Sequence, residues 1–445
     1  MKNSLRRGAF ALALAAVLGG CSGKASLEPA QQSGSAPPLP KAQNFLVPPM
    51  QVPDKAGWAQ GQSPKVAAGL KIERIASGLM HPRQLYALPN GDVLVVESNG
   101  PGSEPVTTPK QLVAGMIKGN SGKGDKGGNR ITLLRKAGGA AGGEWTKHVF
   151  IEHLHSPFGV QLIGDSLYVA NTDAIVKFPY QSGETQISAS GVAFADLPGT
   201  INHHWTKALL ASKDGAKLYV GVGSNSNITE NGLEVEYRRA AVLEVDVATG
   251  SSRIYASGIR NPTGLQWEPQ TGKLWAIANE RDEIGADLVP DYLTSLQEGG
   301  FYGWPYSYYG QNVDDRVVPQ RPDLVAKAIK PDYALGSHVA ALGLWFSETN
   351  ALPENALPEK YRHGAFVAEH GSWDRSPLSG YAVVHVAFED GKPVGAPEPV
   401  VTGFYSDDEK QLYGAPVGLA QDQDGALLIA DDVGDTVWRV SGDTR

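Results

Sequence analysis

One signal recurs six times along this 445-residue chain and leaves few folds open to it. Each copy is a loop carrying Pro, His, Arg or Asn, then an apolar strand, a turn such as Pro-Asn-Gly or Asp-Gly, and a second apolar strand. The copies begin at His81-Pro82-Arg83, Ser156-Pro157-Phe158-Gly159, His203-His204-Trp205, Arg260-Asn261-Pro262, Ala341-Leu342-Gly343 and Ala415-Pro416-Val417. Their second strands include Val93-Leu94-Val95-Val96, Leu167-Tyr168-Val169-Ala170, Leu218-Tyr219-Val220, Leu274-Trp275-Ala276, Ala365-Phe366-Val367-Ala368 and Leu427-Leu428-Ile429-Ala430. The fifth copy is the loosest. No long stretch carries a helical period, and short strand-like runs alternate with turn residues, which predicts an all-β protein. Six copies of one two-strand unit are the pattern of a six-bladed β-propeller. A pair of β-sandwiches would not repeat in this way. In a propeller the first strand of each blade lies nearest the central channel, and the loop leading into it opens on one face. The recurring His, Arg and Asn residues are therefore predicted to meet at one axial mouth.

The N-terminus speaks to compartment. Lys2, Arg6 and Arg7 precede an Ala/Leu-rich run from Gly8 to Val17, and Leu18-Gly19-Gly20 leads to Cys21, the only cysteine. That order is a secretory signal, with the cysteine where a bacterial lipobox places its acylated residue. Residues 1–20 are read as a lipoprotein-type signal peptide. Residues 21–65, rich in Pro, Ala, Gln, Ser and Gly, are read as a lipidated N-terminus followed by a flexible linker. The propeller is placed at 66–445. Ser22 directs the expected anchor to the periplasmic face of the outer membrane. With Cys21 acylated, disulfides, cysteine-bound zinc and a C-x-x-C-H haem are excluded from the folded part. A net charge of −8 with mixed signs throughout gives no nucleic-acid footprint and no basic membrane patch. Membrane association is expected through the lipid alone.

Three polar clusters stand at equivalent places in the repeat. His203-His204-Trp205 and Arg260-Asn261-Pro262, taken singly, read as a capped strand and a turn, with a surface ion pair of little worth. His370-Gly371-Ser372-Trp373-Asp374-Arg375 gathers an imidazole, an indole, a carboxylate and a guanidinium within six residues. A mouth lined by His, Arg, Asn and Trp suits an anionic, planar ligand, because a guanidinium pairs with carboxylates and stacks on flat rings.

Five motifs then carry a specific resemblance. They are Ser156-Pro157-Phe158-Gly159, Arg260-Asn261-Pro262-Thr263-Gly264, Asn279-Glu280-Arg281-Asp282-Glu283-Ile284-Gly285, Gly299-Gly300-Phe301-Tyr302-Gly303-Trp304-Pro305 and the run from His370 to Arg375. Together they resemble the sorbosone dehydrogenase branch of the soluble quinoprotein sugar dehydrogenases, from about residue 70 to the C-terminus. The resemblance implies pyrroloquinoline quinone (PQQ) bound over calcium, and oxidation of a sugar, a sugar-derived aldehyde or a polyol. It implies His204 as general base and Arg260 both on the cofactor and as stabiliser of developing charge, with Asn261 beside it. It implies calcium on the main-chain carbonyls of Glu280 and Arg281. Arg375, Trp373 and His370 would hold or cover the cofactor, and His155, Arg83 and His338 would line the same mouth.

Two positions depart from the family pattern: Ala415, where an arginine is expected, and Ala341, where a proline is usual. Residues 100–143 are read as a long blade insertion, and 305–335 as a second long segment at the mouth. Tyr306, Tyr308 and Tyr309 are read as packing residues or as a sugar-stacking wall. Electrons would leave to an external acceptor, a cytochrome or a quinone. Two other readings stay open. One is a non-catalytic propeller lipoprotein binding a sugar or a protein. The other is a calcium-dependent lactonase-type hydrolase, which wants acidic side chains on the metal.

Overall fold

The computed structural model describes residues 24–43, 51–104, 106, 119–137, 143–347 and 356–443. Cys21 and the residues read as a signal peptide lie outside the described residues.

Each repeat folds as an antiparallel meander of four strands, and six such sheets form the propeller. The innermost strands are Pro82–Ala87, Gly159–Ile163, Lys207–Ala211, Asn261–Trp267, Ala341–Phe346 and Pro416–Gln421. All six repeats read from the sequence supply the first two strands of a blade. The ring closes by joining the chain ends: Leu70–Ser77 pairs antiparallel with Thr436–Gly442 as the outermost strand of the last blade. Closure of this kind removes open edges between first and last blades.

Neighbouring sheets pack face to face, so the second strands are covered on both sides. Val93–Glu97 is buried at every residue, and Leu94, Val96, Leu133, Val160, Leu167 and Val169 belong to one core cluster between two blades. Near-continuous apolar runs, in place of strict alternation, follow from burial on both faces. Close to the axis the inner strands converge until only glycine fits. A Cβ on Gly343 would stand 2.0 Å from the Val417 carbonyl oxygen. The channel below the mouth is a cavity of about 200 Å³ lined by Gln84, Val160, Leu209, Gly264, Leu344 and Leu419 among others.

In a four-stranded meander, the connection from second to third strand and the one leading into the next blade fall on the same face. That face is the mouth. It receives the long excursion between Glu97 and Arg130 in the first blade. The sequence span 100–143 was too wide for this insertion, because Arg130–Lys136 is the third strand of the blade. Tyr333–Ser337, likewise, is the fourth strand of its blade rather than the end of the 305–335 segment.

The larger difference concerns the expected flexible linker. Gln32 is 2% exposed, its amide nitrogen donating to Asp287 and its amide oxygen accepting from the Ser337 amide. Gly34 bridges Ala334, Leu39 packs on the core cluster beside it, and the Gln43 amide donates to the Ile284 carbonyl. Further on, Asp54–Lys55 pairs with Gln411–Leu412, and Lys65–Val66 extends the sheet of the fifth blade. Residues 24–43 and 51–65 thus lie against the propeller. The Pro/Gln/Ser-rich composition reports only that this segment has no core of its own. Backbone hydrogen bonding to the blades holds it.

Candidate functional site

The loop before the third blade presents His204. Its Nδ1 lies 2.9 Å from the Ser224 carbonyl and 3.0 Å from the Ser224 hydroxyl. The carbonyl can only accept, so Nδ1 carries the proton and Nε2 is left as the basic atom. Burial first, then the charges of Arg260 and His203, hold this imidazole well below the ordinary histidine value. The close approach of His204 and Asn261 passes through Gly223, where a Cβ would fall 2.4 Å from both the Asn261 amide oxygen and the His204 Cβ. His203 packs edge-on against His204 at 4.5 Å and pairs with Glu104 at 2.6 Å.

Arg260 opens the fourth blade and is 3% exposed. Its guanidinium donates to the Asn227 carbonyl and side chain, to the Glu280 carbonyl at 2.7 Å, and to Asp282 at 3.3 Å. Asn261 donates weakly to Asn279, while its own amide oxygen is buried with no protein partner.

A second centre is built on Asp432, at the end of a strand in the sixth blade. This carboxylate is fully buried and accepts from Arg83 Nη1 and from His370 Nε2 at 2.9 Å, while His81 Nε2 stands 3.3 Å away without making a hydrogen bond. Burial opposes its ionisation, yet His370, His81 and Arg83 hold the carboxyl far below the usual range. Burial pushes His370 down to about 4 and lowers His81 as well, against the pull of Asp432. The stable arrangement is an ionised Asp432, a charged Arg83 and two neutral imidazoles. The Arg83 guanidinium also lies 5.6 Å from the Trp205 ring centroid. Lys123, from the first-blade insertion, donates to the Gly371 carbonyl and the Tyr381 hydroxyl.

A third centre joins the fourth and fifth blades. Asp282, His338 and Asp374 each bring one ligand-type atom within 4.8 Å of the others. His338 Nε2 donates to the Gly285 carbonyl at 2.9 Å, and its Nδ1 faces both carboxylates. Although burial disfavours the charge, Asp374 and Asp282 push this imidazole up to about 10. Beneath it, burial pushes the Asp291 carboxyl up to about 7 and raises Glu369 well above its ordinary value. Asp291 accepts from the Glu280 amide at 2.7 Å, which sets the conformation of the 280 loop.

The structure brings His204, Arg260, Asn261, Arg83, His370 and His338 to the one mouth face. Others are placed differently. Arg375 is buried and committed to the Ala286 carbonyl and Asp287. His155 is an exposed rim residue paired with Asp173 at 2.8 Å. The Trp373 carbonyl accepts from the Gln51 amide. The side chain of Arg281 is buried against Glu280 and Asp314. The Glu280 carbonyl accepts from Arg260. Tyr308 and Tyr309 belong to the hydrophobic core. Ala415 is buried, with its amide on Asp431. The Asp432 amide donates to the Ala415 carbonyl, so Arg83, paired with Asp432, supplies a guanidinium at the corner where Ala415 offers none.

Sequence reading missed Asp432, Asp282, Asn227 and Ser224. The signal was available: in every blade the end of the second strand is as close to the mouth as the start of the first. Asp431-Asp432 stands where His370 stands one repeat earlier.

With this geometry in hand, the comparisons are decisive for family. A family profile described as TrAA12-like matches residues 125–291 and 321–443, more than half of the chain. The chain belongs to the TrAA12-like family. Among curated relatives, an uncharacterised protein of Borreliella burgdorferi is 27% identical over 298 residues, covering 64% of this chain and 76% of its own. Aldose sugar dehydrogenase YliI of Escherichia coli is 29% identical over 104 residues, 23% of this chain and 26% of that one. Among solved structures, the calcium structure of the Trichoderma reesei AA12 enzyme superposes with TM-score 0.69 at 18% identity, covering 86% of this chain and 97% of that chain. The holo PQQ domain of pyranose dehydrogenase from Coprinopsis cinerea gives 0.66 at 20% identity, over 87% and 99%. At these identities the structural likeness speaks for the fold. The six-bladed propeller and the resemblance to quinoprotein sugar dehydrogenases are both borne out for this TrAA12-like chain.

Proposed function

We propose that this protein is a PQQ-dependent oxidoreductase that oxidises a sugar or a sugar-derived aldehyde at the mouth of the propeller. The observation that carries the reading is the state of His204. It is neutral, its proton is fixed on Nδ1 by Ser224, and a buried guanidinium lies beside it. That is the arrangement a general base needs at neutral pH. The names of the relatives, aldose sugar dehydrogenase and pyranose dehydrogenase, point the same way.

The residues fit a planar polyanion. Among the described residues, Asn261 Oδ1, Arg83 Nε and both ring nitrogens of His81 are buried without hydrogen-bond partners, which is costly unless a ligand supplies them. Arg260, Asn261 and Arg83 would hold the cofactor, and PQQ when bound supplies a two-electron acceptor for hydride. His204 Nε2 takes the substrate proton. Arg260 places positive charge where negative charge develops. Calcium, a hard ion that takes oxygen ligands, would be held by the Asp282 and Asp374 carboxylates only by displacing the proton that His338 keeps between them, and the Glu280 carbonyl is already taken by Arg260. Reduced cofactor would pass electrons to an external cytochrome or quinone, with the protein anchored through acylated Cys21 on the periplasmic face of a membrane.

Titration of the signal-free protein with PQQ and calcium, followed by absorbance and then an aldose panel, tests the reading. Stoichiometric, calcium-dependent binding with sugar-driven reduction is expected. No binding at micromolar PQQ would leave a propeller that recognises a ligand without oxidising it. A second test concerns Arg260, whose charge helps to depress His204. In Arg260→Ala the acid limb of the pH–rate profile is expected to move up towards the unperturbed value of about 6.5, together with weaker cofactor retention. An unmoved limb would separate Arg260 from the base.

A further inference from the structure

Residues 25–32 dock at the mouth face and not on the far side of the ring. The Ala25 amide donates to the Ser376 carbonyl at 3.0 Å. The Ser26 amide and hydroxyl both donate to Asp287 at 2.7 Å, and Gln32 locks the same carboxylate from the other oxygen. Ser376 and Asp287 lie in second-to-third-strand connections, which open on the mouth. Three residues lie between Cys21 and Ala25, four Cα steps with a reach of at most about 14 Å.

An independent feature marks the same face. Of the large apolar side chains that are well exposed, Met80, Leu233, Tyr237, Val313 and Val318 stand on mouth-side loops, Tyr237 at 77% and Val318 at 81% exposure. Val313 and Val318 flank Arg316, which donates to the Asp282 carbonyl and so ties that excursion to the mouth. Val149, Val192 and Ile254 lie on outer strands. The excursion carrying Val313 and Val318 belongs to the third-to-fourth-strand connection of its blade and climbs to the mouth; apart from it, among the described residues, no turn of the opposite face carries such a side chain. Isolated exposed apolar residues are ordinary; their confinement to one face of a ring is the mark of an interaction surface.

We propose that the mouth face is the membrane-facing surface. The docked segment 24–43 acts as a short, stiff strap from an acylated Cys21 to the rim beside Asp287. The exposed apolar side chains of the mouth loops then rest in the headgroup region of the bilayer. A free linker of some forty residues would let the propeller tumble at several nanometres from the surface; docking of the chain from Ala25 onward leaves only about 14 Å between the anchor and the rim. Electron transfer partners held in the same membrane meet the cofactor side of the ring directly. This rests on acylation of Cys21.

The mature chain has no other cysteine, so engineered cysteines can be labelled singly. Full-length protein carrying Tyr237→Cys on the mouth face, or Lys213→Cys on the opposite face, is labelled with a fluorophore. Each is bound to vesicles of phosphatidylethanolamine and phosphatidylglycerol containing a headgroup nitroxide quencher. Several-fold stronger quenching at 237 than at 213 is expected. The asymmetry should diminish when Ser26→Ala and Gln32→Ala release the strap, while turnover in detergent is retained. Equal quenching at both sites, or the reverse order, overturns the orientation. Mass analysis of the N-terminal peptide separates the two claims: a chain without an acyl group removes the anchor and the proposal with it. An acylated chain with symmetric quenching leaves the anchor standing and ends only the orientation. Neither result bears on PQQ binding, which the titration above decides.

Discussion

His204→Ala is expected to lose about two to four orders of magnitude in turnover while cofactor binding is retained, the range measured for removal of a general base. The separation follows from the geometry. Ser224 engages Nδ1, so His204 offers the site one atom, Nε2, and removing it leaves Arg260, Asn261 and Arg83 in place to hold the cofactor. Steady-state turnover and cofactor titration on the same preparation check both halves. In the wild type, burial and the Arg260 charge keep the imidazole neutral well below its ordinary value. The acid limb of activity should accordingly lie below about pH 6.5. Unchanged turnover in the variant would transfer the role to His203, whose Nδ1 is tied to Glu104, or end the assignment.

The largest stability effect is expected at Asp432. It is the carboxylate that Arg83, His81 and His370 all face, and all four are buried. Asp432→Ala leaves the Arg83 guanidinium buried without its counter-charge and the His370 imidazole without its acceptor. Breaking a buried pair in this way costs about 3–5 kcal/mol, a large share of the stability of an ordinary domain. The sign with pH is fixed by the depressed carboxyl value. The stabilisation is present in full above the unfolded aspartate value of about 3.9 and is lost only as pH falls below it. Denaturant unfolding at pH 7 and at pH 3 should therefore show a large difference between wild type and variant at the first and a smaller one at the second. A variant as stable as wild type at pH 7 would show that Arg83 finds another partner or solvent.

Asp432 also shows where sequence reading stopped. The repeat was legible because each blade needs the same apolar run, turn and apolar run, and burial between neighbouring sheets imposes that pattern locally. His204, Arg260 and His370 were legible because polar residues stood where the repeat calls only for a turn. What Arg375 binds was not legible: nothing in His370–Arg375 says that the guanidinium closes on Ala286 and Asp287, residues some ninety positions away in another blade. The docking of residues 24–43 was hidden for a related reason. Its composition is that of a linker, and it is ordered by partners such as Asp287 and Ala334 that lie about 260 to 300 residues distant.

The sequence by itself determined the six-fold repeat, the all-β class and the set of polar loops that share one face. These follow from local rules of burial period and turn chemistry. Tertiary structure alone decided which carboxylate answers which cation. Asp432 draws in Arg83 and His370, Asp282 and Asp374 enclose a protonated His338, and Asp287 joins Arg375 to the N-terminal strap. Charge pairing acts through space at a few ångströms, and ring closure brings together residues that the chain keeps hundreds of positions apart.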